Sequence, residues 1–275
     1  SRYIFMAFAV LMTAGCEGFL DRLPVTEPNS DTYLSSVNQL YSYVNGLYIS
    51  LPVLKQYGSG VRSVEKNSDN ILSEAYDKRI NGEYTEFSGY ADWSAAYQNL
   101  RDVNYFFEYY DVPEAMESDD VKSLCGEVYF LRAWWHFDLL KKFGDVPVMD
   151  GFWDADATIA GLQKPAADRK EVALFILADL EKAAGLLHGR NVFWGLRINR
   201  EAALALAMNV ALYEGSWEKY HGADAFSADS PEPELFFGKV LEYGDGLFSL
   251  MPVSEGLNTM SNDPFGAGNG GDAFA

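Results

Sequence analysis

The stretch from residue 57 to residue 93 combines flat aromatic rings with forked polar side chains. Carbohydrate binding uses both kinds, because a ring stacks on the apolar face of a sugar while amide, carboxylate and guanidinium groups hydrogen-bond neighbouring hydroxyls. The alternative is that the Asn and Asp residues form turns and that the rings are half-buried parts of the core. This structural role explains any one of these residues considered on its own. The residues predicted to bind such a ligand are Asn67, Asp69, Asn70, Arg79, Tyr90 and Trp93.

Catalytic and metal chemistry have little support in the sequence. The three histidines show no HExxH spacing, and no GxSxG or GxxxxGK[ST] motif occurs. Asp154 and Asp156 are two acids in one loop, which falls well short of a calcium-binding pattern. No catalytic residue, metal ligand or cofactor is therefore predicted. The forty acidic residues could still include the two catalytic carboxylates of a glycosidase, which spacing along the sequence cannot identify.

The charge of the chain excludes other classes of partner. Lys and Arg number 21 against 40 Asp and Glu, a formal net charge of −19. Nucleic-acid binding requires basic clusters, and an anionic lipid surface repels an acidic protein. We therefore expect no nucleic-acid partner, and expect any membrane attachment to be covalent or inserted.

Residues 1–15 resemble a secretory signal peptide. Arg2 precedes an apolar run from Tyr3 to Met12, and small residues follow directly before Cys16. Cleavage before Cys16 would leave a cysteine for lipid attachment, with 16–30 as a tether. The alternative is an ordinary signal peptide followed by an incidental cysteine.

Apolar residues recur at helical spacing through most of the remaining sequence, so the predicted fold class is all-α. Helices are predicted from Asp31 to near Pro52, from about Asp92 to Tyr110, from about Asp119 to Phe143, from Asp168 through Leu187, from Asn199 to about Tyr213, and from Ser230 to near Gly244. Bulky faces alternating with alanine-rich ones favour antiparallel pairs like those of tetratricopeptide repeats.

Two long irregular loops, roughly 51–91 and 144–167, interrupt these helices, and loops of such length are usually functional. We assign 31–250 to one helical domain. The Gly-rich residues 251–275 are expected to be an irregular, truncated tail.

Three polar residues on apolar helix faces are predicted to be structural. Arg132 and His136 lie one turn apart on the most apolar helix, where a buried guanidinium needs a carboxylate or carbonyl partner. Asn104 is expected to hydrogen-bond the backbone of a loop. The alternative for Arg132 and His136 is a catalytic or ligand-binding role.

Four segments, in order along the chain, resemble the SusD/RagB family. They are CEGFLDRLPVTE at 16–27, WSAAYQNLRDVNYFFE at 93–108, GEVYFLRAWWHFDLLKKFGDVPV at 126–148 and INREAALALAMNVALYEGSW at 198–217. Members of this family are considerably longer, so the resemblance implies that the C-terminal part of the family fold is missing here.

The resemblance implies a non-catalytic lipoprotein, anchored through Cys16 and exposed on the bacterial outer membrane. It would bind an oligosaccharide or polysaccharide and dock on a TonB-dependent transporter of the SusC type. Two alternatives remain open: a helical-repeat scaffold that binds envelope proteins, and a surface glycoside hydrolase.

Overall fold

Six α-helices form most of the described chain, which in this computed structural model comprises residues 34–51, 82, 91–111, 118–153, 164–222 and 226–250. They are α1 (Val37–Leu47, followed by a 3-10 turn at Tyr48–Ser50), α2 (Ala91–Tyr109), α3 (Asp119–Phe143), α4 (Arg169–Leu186), α5 (Arg200–His221) and α6 (Pro233–Leu250). Within these ranges the only β-type pairing is one isolated bridge between Val146 and Ala167. The all-α prediction is confirmed.

The helix boundaries follow the capping residues. Asp168 accepts a hydrogen bond from the Lys170 amide at the start of α4, and Asn199 accepts one from the Ala202 amide at the start of α5. Both predicted caps are therefore present. The predicted end of α5 near Tyr213 is wrong, because the helix continues for two more turns.

The last helix also extends beyond its predicted end. Gly244 does not terminate α6; it is buried, and a side chain there would begin 3.5 Å from the Met208 methyl carbon on α5. A side chain at that distance would make ordinary van der Waals contact, so Gly244 lies at the contact between α5 and α6 and the helix continues through it.

Successive helices pack antiparallel, as the contacts between them show. On α3 and α4, Gly126 lies against Leu186, whereas Arg132, further along α3, contacts Asp179, which comes earlier on α4. Likewise the Arg169 side chain at the start of α4 reaches α5 near its C-terminal end. These are the antiparallel helix pairs that the sequence predicts.

Helix α3 contributes to both hydrophobic clusters of the fold. The larger cluster is built from α2 to α6, and the smaller joins α3 to α1 and to the second half of α2. Val128, Leu131 and Leu139 are fully buried, whereas Trp134 and Trp135 are half-buried. Helix α3 is therefore the central helix of the described fold, but its two tryptophans are not fully enclosed.

Arginine–carboxylate pairs with buried carboxylates join neighbouring elements. In each pair the guanidinium donates two hydrogen bonds to one carboxylate, the geometry that gives an arginine its strongest ionic contact. The pairs are Arg132 with Asp179, Arg169 with Glu214, and Arg197 with Glu127, at 2.6–2.8 Å. The sequence predicted a partner only for the first of these arginines.

Candidate functional site

Trp93 is the one predicted ligand-binding residue within the described part of the chain. It occupies the first turn of α2, half-buried, with its ring centroid 4.8 Å from that of Tyr97 and edge-on to Phe143 at 5.0 Å. These contacts fix the orientation of the indole from two helices. The other predicted residues, whose assignment stays a prediction, lie outside the described residues: Asn67, Asp69, Asn70, Arg79 and Tyr90.

A pocket of about 250 Å³ opens beside Trp93. Two tryptophans contribute to it from distant parts of the sequence, one on α2 and one in the connection that follows α3. The described lining residues are Trp93, Tyr97, Pro147, Met149, Trp153 and Lys164. Trp153 and Lys164 were not predicted as site residues, because only the folded chain brings them to Trp93.

The backbone after α3, residues 146–153, crosses over α2 and α3, and we call it the crossing segment. Tyr97 donates its hydroxyl hydrogen to the Pro147 carbonyl at 2.9 Å, and Asn104 donates from its amide to the Met149 carbonyl at 3.0 Å. Burial raises the pKa of the Tyr97 hydroxyl, which therefore stays protonated and able to donate. The prediction that Asn104 binds loop backbone is confirmed.

Arg132 fastens the crossing segment to the core. Its guanidinium donates twice to Asp179, once to the Asn104 side-chain oxygen at 3.1 Å, and once to the Asp150 carbonyl at 3.2 Å. The side chain is 7% exposed, and its partners come from α2, α4 and the crossing segment. The prediction of a buried arginine with carboxylate and carbonyl partners is confirmed.

His136 holds the same segment as a neutral ring. Its Nε2 accepts the Met149 amide hydrogen at 3.0 Å, so Nδ1 carries the proton and donates to the Arg132 carbonyl at 2.9 Å. Complete burial is the main reason why the pKa of His136 falls to about 4. The predicted structural burial of His136 is confirmed.

One ion pair gives the pocket its polar edge. Lys164 donates to Asp150 at 2.7 Å, and its ammonium lies 6.0 Å from the centre of the Trp153 ring. This hydrogen bond is the main cause that lowers the pKa of Asp150, so its carboxylate stays charged at neutral pH. The pocket therefore presents aromatic surface beside the Lys164 ammonium, whose partner Asp150 lies just outside the lining residues.

A larger groove of about 760 Å³ lies along α5 and α6 and is mainly apolar. Its central ring, Trp217, is already covered, since the Arg169 guanidinium lies 4.0 Å from the ring centre and the His221 ring 4.2 Å away. The pocket beside Trp93, in contrast, contains a residue that the sequence predicts to bind ligand. We therefore take the pocket beside Trp93 as the candidate site.

Metal binding has no support in the part of the chain that the structure describes. No group of three or more His, Cys, Asp or Glu side chains is arranged there to hold an ion. The pocket can instead stack planar or apolar ligand surfaces and exchange hydrogen bonds with hydroxyl groups.

Comparison with protein families gives a match over residues 18–212 to the SusD-like model described as starch-binding and associating with the outer membrane. The chain belongs to this SusD-like family. The matched residues include α1 to α4, the candidate pocket and the first part of α5. No curated protein matches the chain.

Solved SusD-like structures share the fold. A SusD-like protein from Bacteroides fragilis is 26% identical with a TM-score of 0.60, over 84% of this chain and 41% of that one. A SusD-like carbohydrate binding protein from the same species is 18% identical, with a TM-score of 0.57 and coverages of 78% and 42%. A laminarin binding SusD-like protein is 21% identical, with a TM-score of 0.53 and coverages of 68% and 42%.

These comparisons confirm the resemblance inferred from four sequence segments. The chain spans 41–42% of the length of these three solved relatives.

In the described ranges, none of the helices combines the length and apolar character that a membrane crossing requires.

Titration of His136 should make the free energy of unfolding depend on pH. The pKa is about 4 in the folded protein and about 6.5 in an unfolded chain, so on acidification the unfolded state takes up this proton first. Stability should therefore fall as pH drops from 6.5 to 4, with His136 contributing about 3 kcal/mol of that loss. Urea unfolding at several pH values measures the change.

The matched variant is His136→Gln, which removes the titrating group and leaves every other carboxylate and histidine in place. Its stability should be lower at pH 7 but should decline less between pH 6.5 and 4. Parallel curves for the two proteins across that interval would contradict a buried neutral His136.

Proposed function

We propose that this SusD-like protein binds an oligosaccharide or polysaccharide, without catalysing its cleavage, at the surface of the bacterial outer membrane. The bound glycan is then delivered to a TonB-dependent transporter of the SusC type. Membership of a family described as starch-binding and associating with the outer membrane supports the carbohydrate class and the location.

The observation that carries the proposal is the pairing of Trp93 and Trp153 beside an ion pair. Aromatic rings offer large apolar surface with little flexibility, which suits the apolar faces of sugar rings. Lys164 lines the pocket and can donate to hydroxyl oxygens, while its exposed partner Asp150 lies just outside the lining and offers acceptor oxygens. Few other neutral ligands need both features together.

The binding should be weak. A shallow pocket excludes water incompletely, and contacts to hydroxyl groups replace hydrogen bonds that water already makes. We expect dissociation constants from tens of micromolar to about millimolar, which correspond to roughly 4–6 kcal/mol.

Residues in the loop before α2 are proposed to complete the site. They lie 3 to 26 positions before Trp93 in the sequence and include the forked polar groups of which the described pocket has few. They are Asn67, Asp69, Asn70, Arg79 and Tyr90.

Calorimetric titration with maltooligosaccharides and laminarin oligosaccharides tests the proposed site. Replacing Trp93 and Trp153 together by Ala should lower the affinity at least tenfold, because both stacking surfaces are removed while the buried network behind them remains. Tyr220→Ala is the control, since Tyr220 is 77% exposed on α5 and lies outside the pocket.

Unchanged affinity in a double variant that retains its helical circular dichroism would exclude this pocket as the site. Absence of binding to every glycan tried would favour the protein-binding scaffold. Release of reducing ends from the polysaccharides would instead favour the hydrolase.

The proposed anchor is a lipid on Cys16, which lies outside the described residues. Cys16→Ser should abolish incorporation of a labelled fatty acid, because a hydroxyl cannot form the thioether of a bacterial lipoprotein. Cys125→Ser is the control and should label normally. A Cys16→Ser chain that still incorporates label and partitions into detergent would contradict the assignment.

A further inference from the structure

The loop between α4 and α5 turns a tryptophan outward. Trp194 is 87% exposed and Leu196 is 85% exposed. We call residues 189–197 the tip loop. An indole this open is unusual on a soluble surface and marks a contact site more often than an incidental position.

The tip loop is held by its own hydrogen bonds. The Gly195 amide donates to the Arg190 carbonyl at 3.1 Å, and the Leu196 amide donates to the Phe193 carbonyl at 2.9 Å. The Arg190 amide in turn donates to the Glu201 carboxylate at the start of α5, at 2.8 Å. These bonds fix the backbone on both sides of Trp194.

The base of the loop is fastened to the core through Glu127, which is buried on α3. Arg197 donates twice to this carboxylate, at 2.7 and 2.8 Å, and the Tyr48 hydroxyl donates to it at 2.8 Å. The same hydroxyl accepts the Ile198 amide hydrogen at 2.9 Å. The exposed indole therefore projects from a rigid support.

The backbone at Trp194 is in the left-handed region, with φ 52°, and among the described residues it is the only non-glycine with positive φ. Glycine would adopt this conformation without steric cost. Strained positions of this kind persist where the surroundings impose them, and they cluster at binding sites. Because a large side chain stands where glycine would serve the turn, we infer that the side chain itself has a role.

We propose that Trp194 is a second carbohydrate contact, which stacks on one sugar ring of a polysaccharide beside the hydrogen-bonding groups of Arg190 and Asn191. The proposal rests on the proposed function, which supplies the ligand class. Arg190 and Asn191 are exposed, and the Arg190 Nε lies 3.6 Å from where a side chain on Gly195 would begin. A guanidinium fork thus lies beside the residue that follows Trp194.

The charge of the chain favours a sugar over an anionic membrane at this loop. An anionic lipid surface repels a chain of net charge −19, and Arg197 is already neutralised by Glu127. Trp194 shares the loop with the exposed apolar side chains of Val192 and Leu196 and with the exposed polar side chains of Arg190 and Asn191. A rigid ring with a guanidinium and an amide on the same loop matches one sugar residue, and variants of Trp194 and Leu196 distinguish this contact from a general apolar one.

A second weak contact acts mainly on long ligands. Once one site holds a polymer, the other meets the same chain at high effective concentration, so the two contacts reinforce each other. Short oligosaccharides bound beside Trp93 gain nothing from Trp194. The two sites are therefore separable by ligand length.

Affinity electrophoresis in gels containing soluble starch or laminarin tests the inference, with maltooligosaccharide and laminarin-oligosaccharide calorimetry in parallel. Trp194→Asn removes the ring but keeps a residue that tolerates positive φ. It should weaken retention by the polysaccharide roughly 3- to 10-fold and leave oligosaccharide affinity unchanged. Trp194→Tyr should restore most of the retention, and Leu196→Ser should behave as wild type.

Retention of Trp194→Asn equal to wild type, in the same gels where Trp93→Ala loses retention, would overturn the second contact and leave the proposed function standing. Equal losses in Trp194→Asn, Trp194→Tyr and Leu196→Ser would also overturn it, since they indicate a general apolar contact. Trp194-dependent sedimentation with phosphatidylethanolamine–phosphatidylglycerol vesicles would overturn it in favour of membrane contact.

Discussion

The buried guanidinium of Arg132 is the contact on which the rest of the site depends. It pairs with Asp179 on α4, donates to the side-chain oxygen of Asn104 on α2 and donates to the carbonyl of Asp150 on the crossing segment. Removing one partner from a buried ion pair leaves an uncompensated charge and costs about 3–5 kcal/mol. Helix packing and the path of the crossing segment are therefore coupled, because the same side chain satisfies both.

This coupling explains how a helical domain can form a binding pocket on the crossing segment, which is neither helix nor strand. Backbone groups of the crossing segment are satisfied by side chains of α2 and α3, so the segment needs no strand partner beyond the single bridge at Val146 and Ala167. The tip loop is held in a similar way, because Arg197 at its base pairs with Glu127 as Arg132 pairs with Asp179. In both cases an arginine–carboxylate pair in the core holds an aromatic side chain at the surface.

The sequence predicted the helices well where apolar spacing and caps agree, as in α3, whose predicted and observed bounds coincide. It failed at the end of α5, because the buried acids Glu214 and Glu218 resemble the solvent-exposed positions that follow a helix. Trp93 was recognised within a run of aromatic and polar residues. Trp153 was missed because it approaches Trp93 only through tertiary hydrogen bonds, which no local pattern reports. Trp194 lay in a connection too short to attract notice.

Amide hydrogen exchange at Met149 tests the central claim, that buried side chains fix the crossing segment, most directly. Its N–H lies outside any helix and is bonded to a completely buried imidazole. Exchange then requires the local core to open, so at neutral pH it should be as slow as exchange in the middle of α3. Exchange at the rate of an exposed loop, in a protein whose α3 amides remain protected, would contradict the account.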